Sequence, residues 1–390
     1  MSSHTSSDVQ VSAVSPRSGQ NRVGHGALFI YILAIVYASL NPFFGWRWPE
    51  SYGLFIWPRY SSGFDIVLNV LSYIPLGGML AALRLRRFQA YPQAHPRALM
   101  ATAAPSAGAV LLSATIAAFT LSFAMESVQT MLPVRVSSPI DLIANTAGAF
   151  LGASVLVTRW GRRLLAAVLA WRHRHFAAGN ETGWGLLLLA GWFVAQLNPV
   201  IPFFEAGHIA GPVDLAAALT LASASTPHDP LILLPQTVGI ALNVCGFCLF
   251  LSLLLRPGTR VMVGVLLTLA LGFFIKISTA TLMLKAPQLA AWLGPATIFG
   301  LSAGLVLFVG FARIGYRWRA FSATLFIFAG GLMAKISSIY GAFGETLRLL
   351  NWPYGHLINF ASLTRWMHES WPLLACLLAA WIFVKHRESQ

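Results

Sequence analysis

Seven polar side chains stand at regular spacings inside or beside apolar stretches of this chain. Asp65 and Asn69 are four residues apart, and Asp141 and Asn145 repeat the D-x-x-x-N spacing. Each pair shares one helical face, a turn apart. Glu126 and Gln129, three apart, share a third face, and Arg135 follows in a short connection. A charged group at the centre of a bilayer costs about 2.5–3.5 kcal/mol on insertion scales, so such a concentration marks candidate function. Three chemistries suit it. The cluster could bind a polar headgroup, with Arg135 engaging phosphate or carboxylate. Glu126 and Asp141 could divide acid and base roles while Arg135 stabilises developing negative charge. Glu126, Lys276 and Lys335 could also form a relay for a proton or substrate.

A purely structural account competes with all three. Asp65 and Asp141 each begin a helix, where a carboxylate caps free N–H groups and favours the macrodipole. Asn69 and Asn145 suit hydrogen bonds between helices, worth about 0.6 kcal/mol each. Arg135 could simply pair with Asp141. Glu126 fits this account poorly, because it lies inside an apolar span with no cap to make. Lys276-Ile277-Ser278 and Lys335-Ile336-Ser337 repeat one tripeptide inside spans, and a buried Lys needs a partner, for which Glu126 is one candidate. Lys335, near its helix end, could instead snorkel to the interface. Cys245-Gly-Phe-Cys248 matches C-x-x-C, but no second pair or His cluster accompanies it, so apolar packing is expected. With no metal triad and no Gly-rich phosphate loop in the sequence, no cofactor is expected.

The elements that position these groups follow from composition. Of 390 residues, 57% are hydrophobic and 10% charged, with mean hydropathy +0.69. Soluble domains carry roughly a quarter charged residues, so a water-soluble enzyme is excluded. The expected fold is an all-α polytopic transmembrane bundle of about ten spans. They lie at 25–43, 64–83, 106–131, 141–158, 184–203, 236–255, 261–284, 292–312, 319–341 and 371–385. The net charge of +14 does not point to nucleic acid. Eighteen of the 26 Lys and Arg fall in segments on one side of these spans and six on the other, with Lys276 and Lys335 within them. Because cationic segments resist translocation, both termini are placed inside. The seven polar residues then fall in one layer near the outer interface.

Residues 1–24 read as a disordered cytoplasmic tail, and the first span as a retained signal anchor. Residues 25–158 form one four-helix unit, 159–183 a basic inner loop with Trp160 and Trp171, and 184–315 a second, degenerate four-helix unit. Residues 316–390 add two further helices around an aromatic and His-rich outer loop, roughly 342–370, with Trp352, Tyr354, His356, Trp366 and His368. The repeat rests on A-S-L-N-P at 38–42 against A-Q-L-N-P at 195–199, and on Asn69 in Ile66–Val70 against Asn243 in Ile240–Val244. Gly148-x-x-x-Gly152 against Gly300-x-x-x-Gly304 completes it. Units of four spans would lie parallel. The second unit puts Gly239, Lys276, Leu293 and Thr297 near the positions of Asp65, Glu126, Asp141 and Asn145.

Asp65-Ile-Val-Leu-Asn69, Tyr73-Ile-Pro75-Leu-Gly77, Glu126-Ser-Val-Gln129, Pro133-Val-Arg135 and Asp141-Leu-Ile-Ala-Asn145-Thr-Ala-Gly148 occur in order. This set resembles the VanZ-like family over roughly residues 27–158. The family's best-known namesake is associated with low-level resistance to the glycopeptide teicoplanin, and its molecular activity is not well defined. The resemblance implies a multi-pass protein of the bacterial cytoplasmic membrane whose partner is a membrane lipid or lipid-linked cell-wall precursor. Intramembrane catalysis on a lipid-linked substrate, and transport, stay open beside binding.

Overall fold

In a computed structural model, the structure describes residues 16–41, 43–48, 57, 63–90, 106–199, 201, 203–204, 230–283, 293–340 and 357–386. Eleven helices are found among them: α1 Pro16–Leu40, α2 Gly63–Ala90, α3 Ala107–Gln129, α4 Pro139–Val157, α5 Arg159–His175, α6 Asn180–Gln196, α7 Pro230–Leu254, α8 Val261–Met283, α9 Pro295–Phe311, α10 Tyr316–Tyr340 and α11 Leu357–Lys385. The only β feature among the described residues is an isolated bridge between Phe176 and Leu255. Each of the ten expected apolar spans falls on one helix, and α5 occupies the basic loop between the fourth and fifth. Seven helices (α1, α2, α3, α4, α7, α8 and α11) are long and apolar enough to cross a membrane. The other three expected spans fall short of that measure. α6 and α9 have 17 residues each, and α10 opens on a polar turn with Arg317 and Arg319.

The first half is held together by backbone contact. A Cβ on Gly148 would overlap the carbonyl of Val70, one on Gly152 that of Ile74, and one on Gly77 that of Ala149. α2 and α4 therefore touch main chain to main chain, as small residues permit between membrane helices. The buried face of α4 is made of Ala144, Asn145, Gly148, Ala149, Gly152 and Ala153. Pro75 inside α2 is tolerated because neighbouring helices compensate the broken ladder.

The second half is built around α7, which is enclosed by α9 on one side and α10 on the other. Gly300 and Gly304 of α9 meet Ile240 and Val244 of α7, and Gly246 of α7 meets Ile327 of α10. Cys245 and Cys248 are fully buried here, beside Phe247 and Phe250. The sequence sets the last two helices apart as an addition to two four-helix units. The structure instead makes them integral, because Ala320, Ala323 and Ile327 of α10 and Trp371, Ala375 and Ala379 of α11 belong to the main apolar core.

Two boundaries also differ from expectation. α1 starts at Pro16, so part of the expected tail is helical, while residues 1–15 lie outside the described residues. Farther along α1, a Cβ on Gly24 would contact Leu83, and one on Gly26 would overlap Trp184. Likewise α11 begins fourteen residues before the expected span, taking Trp366 and His368 of the expected outer loop into a helix with Pro372 inside it. Trp352, Tyr354 and His356 lie outside the described residues.

The α2–α4 contact yields a prediction. Gly148→Ala should lower thermal stability in detergent by the equivalent of about 1–3 kcal/mol, the cost of overpacking a tight interface. Gly78→Ala should be close to neutral, because its Cβ would meet Gly152 only at 3.8 Å.

Candidate functional site

α3 turns a single stripe toward its neighbours: Val110, Ala114, Ala118, Ser122, Glu126 and Gln129. The spacing of four, then three at the end, keeps all six on one face. Leu112, Ile116, Phe119 and Phe123 are exposed on the others. The buried stripe is small and apolar along most of its length and polar in its last two turns.

Glu126 is 4% exposed. Its Oε2 accepts a hydrogen bond from the backbone N–H of Ser138 at 2.8 Å. Ser138 is the N-cap of α4, and its own hydroxyl accepts from the Ile140 N–H at 3.2 Å. In a capping box, a carboxylate three residues into the helix reaches back to the N-cap N–H. Here a carboxylate from the neighbouring helix does so. Glu126 therefore does have a capping role, contrary to the sequence reading, which considered only caps within one helix. Asp141, in the first turn of α4, and Arg135 are the charged neighbours of Glu126.

Arg135 and Gln129 also serve the end of another helix. The Arg135 guanidinium donates to the Ala38 carbonyl, and Gln129 Nε2 donates to the Ser39 carbonyl at 2.9 Å. Both carbonyls belong to the last turn of α1, where four C=O groups lack partners within the helix. A cation there also complements the negative end of the helix dipole. Burial lowers the Arg135 pKa from its ordinary value, and the nearby Glu126 carboxylate opposes that shift.

One turn deeper, Asn145 Nδ2 donates to Ser122 Oγ at 2.9 Å, joining α4 to α3. Tyr73 of α2, 3% exposed, brings its hydroxyl beside Ser122 and Glu126. Tyr73 Oη, Ser137 Oγ and Asn145 Oδ1 are all buried; Tyr73 Oη lies toward Ser122 and Ser137 Oγ toward Glu126 without reaching full hydrogen-bond geometry, and Asn145 Oδ1 meets no partner among the described residues. One orphaned and two loosely held polar atoms around one buried carboxylate are unusual, because buried polar atoms are nearly always well satisfied.

The structure thus brings Glu126, Arg135, Asp141 and Asn145 into one cluster and turns Gln129 toward α1. Asp65 and Asn69 share the α2 face of Tyr73, eight and four residues before it, or roughly 12 and 6 Å nearer the rim. Sequence reasoning missed Tyr73, Ser122, Ser137 and Ser138 as parts of the site. The available signals were the four-residue step from Asn69 to Tyr73 and from Ser122 to Glu126. The pairing of Glu126 with Lys276 is not formed. Lys276, fully buried on α8, donates to the Asn198 carbonyl at 2.8 Å in the other half. The Lys335 side chain lies outside the described residues.

Arg135→Ala should uncap α1 and lower the thermal midpoint by the equivalent of about 1–2 kcal/mol, and melting of the purified protein checks this. An unchanged midpoint would show that the α1 end does not depend on Arg135.

Residues 10–160 match the family model described as VanZ/LLP1. No curated protein and no solved structure matches the chain. The matched residues run from the start of α1 to the α4–α5 junction and include the whole Glu126 cluster. That segment is similar to the VanZ/LLP1 family and is called the VanZ-like unit below, and the chain that carries it is a multi-pass membrane protein.

Proposed function

We propose that the VanZ-like unit binds the polar head of an amphiphilic lipid, of the class of lipid-linked cell-wall precursors, at the outer face of a bacterial cytoplasmic membrane. Binding would change the access of glycopeptides such as teicoplanin to that precursor. The observation that carries this reading is the set of three buried polar atoms around Glu126, Tyr73 Oη, Ser137 Oγ and Asn145 Oδ1, none of them held in full hydrogen-bond geometry. Such atoms cost about 1–3 kcal/mol each when left unsatisfied, and a polar headgroup or its water would satisfy them. The roles divide by depth. Asp65, Asn69, Arg135 and Asp141 stand toward the rim, where a headgroup arrives, while Tyr73 and Asn145 offer hydrogen bonds farther in. Gln129 supports the site by holding the α1 end.

The adjacent carboxylates of Glu126 and Asp141 favour a second reading, an intramembrane enzyme acting on a lipid-linked substrate, because neighbouring carboxyl groups can divide acid and base roles. Mass spectrometry of lipids that co-purify with the full chain separates these readings. Wild type should retain a phosphorylated polyprenyl species, and Tyr73→Phe should retain about tenfold less with an unchanged thermal midpoint. Glu126→Gln preserves the acceptor for the Ser138 N–H, so a binder should keep much of its lipid. An enzyme should bind its substrate and fail to turn it over. Equal retention by wild type and Tyr73→Phe would overturn the assignment of the pocket.

A further inference from the structure

At the far end of the VanZ-like unit, α4 passes into α5 through a tight elbow. A Cβ on Gly161 would overlap the Val155 carbonyl, so the two helices meet backbone to backbone. Thr158 sits at the corner: its hydroxyl donates to the Val155 carbonyl at 2.7 Å and accepts from the Gly161 N–H at 3.0 Å. With that hydroxyl satisfied, what the elbow presents outward is apolar. A groove of about 540 Å³ runs between the helices, lined by Leu151 and Val155 of α4 and Trp160 and Leu164 of α5.

α5 itself is amphipathic in a particular way. Trp160, Leu164, Val168 and Trp171, spaced by four, four and three, share one face and are all exposed, Trp160 to 80%. Arg159 and Arg162 fall on the opposite side of the helix, Arg163 and Arg174 flank the apolar face beside Trp160, and all four are exposed. Bulky apolar side chains left uncovered beside a row of fixed cations belong at the boundary between acyl chains and headgroups. Arg159, Arg162 and Arg163 flank the same turn that supplies Trp160 and Gly161 to the groove. Four exposed arginines carry no compensating carboxylate on α5, whose sequence holds no Asp or Glu.

We propose that the α4–α5 elbow is a binding site for an anionic glycerophospholipid of the membrane, with one acyl chain in the groove under Trp160 and the phosphate held by Arg159, Arg162 and Arg163. The charge of the arginines selects the headgroup, and the apolar lining selects the chain. This site is independent of the Glu126 cluster, which lies at the opposite end of α4.

Native mass spectrometry of the full chain in mixed phosphatidylglycerol and phosphatidylcholine micelles tests it. Wild type should retain phosphatidylglycerol in preference to phosphatidylcholine. The triple variant Arg159→Gln, Arg162→Gln, Arg163→Gln should lose at least about fivefold of that preference. A control triple, Arg22→Gln, Arg260→Gln, Arg313→Gln, removes the same charge from other exposed positions and should keep it. A second variant, Leu164→Glu, places a carboxylate in the groove and should release the lipid with the arginines intact. Equal loss in the control triple, or no loss in either elbow variant, would overturn the proposal, as would equal retention of the two lipids by wild type.

Discussion

The arrangement of the VanZ-like unit depends on how closely two main chains approach. Gly77, Gly148 and Gly152 let α2 and α4 touch without side chains between them. That contact brings the faces bearing Tyr73 and Asn145 within reach of one α3 stripe. The same α3 stripe sets Glu126 against the Ser138 N–H at the start of α4. In lipid no water competes for that N–H, so each polar group must find its partner within the protein or its ligand. The same requirement makes the loosely held Tyr73 hydroxyl and the orphaned Asn145 Oδ1 informative.

The two halves share more than the glycine spacing. In each, a side chain of the third helix reaches the end of the first: Gln129 to the Ser39 carbonyl of α1, and Lys276 to the Asn198 carbonyl just past α6. Each L-N-P segment leads to a non-glycine residue with positive φ, Phe43 at 62° and Phe204 at 63°. These parallels stand at corresponding points of the two halves. The halves differ where chemistry would occur, since a lysine replaces the carboxylate and packs against main chain.

How much of this was legible in the sequence depended on whether the signal was local. Apolar runs of sufficient length located ten of the eleven helices, and the E-x-x-Q spacing put Glu126 and Gln129 on one buried face of α3. Contacts that cross between helices were not legible. Nothing in the neighbourhood of Glu126 announces that its partner is the N-cap of a different helix, or that Arg135 serves α1 rather than Asp141 alone. Tyr73 was hidden by its type, because a tyrosine in an apolar span reads as packing until its hydroxyl is seen beside Ser122 and Glu126. The ends of α1 and α11 were misjudged because hydropathy marks where lipid begins and ends, whereas a helix continues past that point into polar sequence.

The start of α11 touches both L-N-P segments. Ser362 shares a hydrogen bond with Tyr37 at 2.9 Å and donates to Asn41 at 3.5 Å, while Asn198 donates to Thr364 at 3.1 Å. At its other end, Lys385 pairs with Glu181 at the beginning of α6. α11 is therefore a strut pinned at top and bottom, with its upper pin shared by the two halves. Sliding or tilting of one half against the other must drag this strut along or shear those hydrogen bonds, so a ligand that moves the VanZ-like unit is felt in the helices that lack its chemistry.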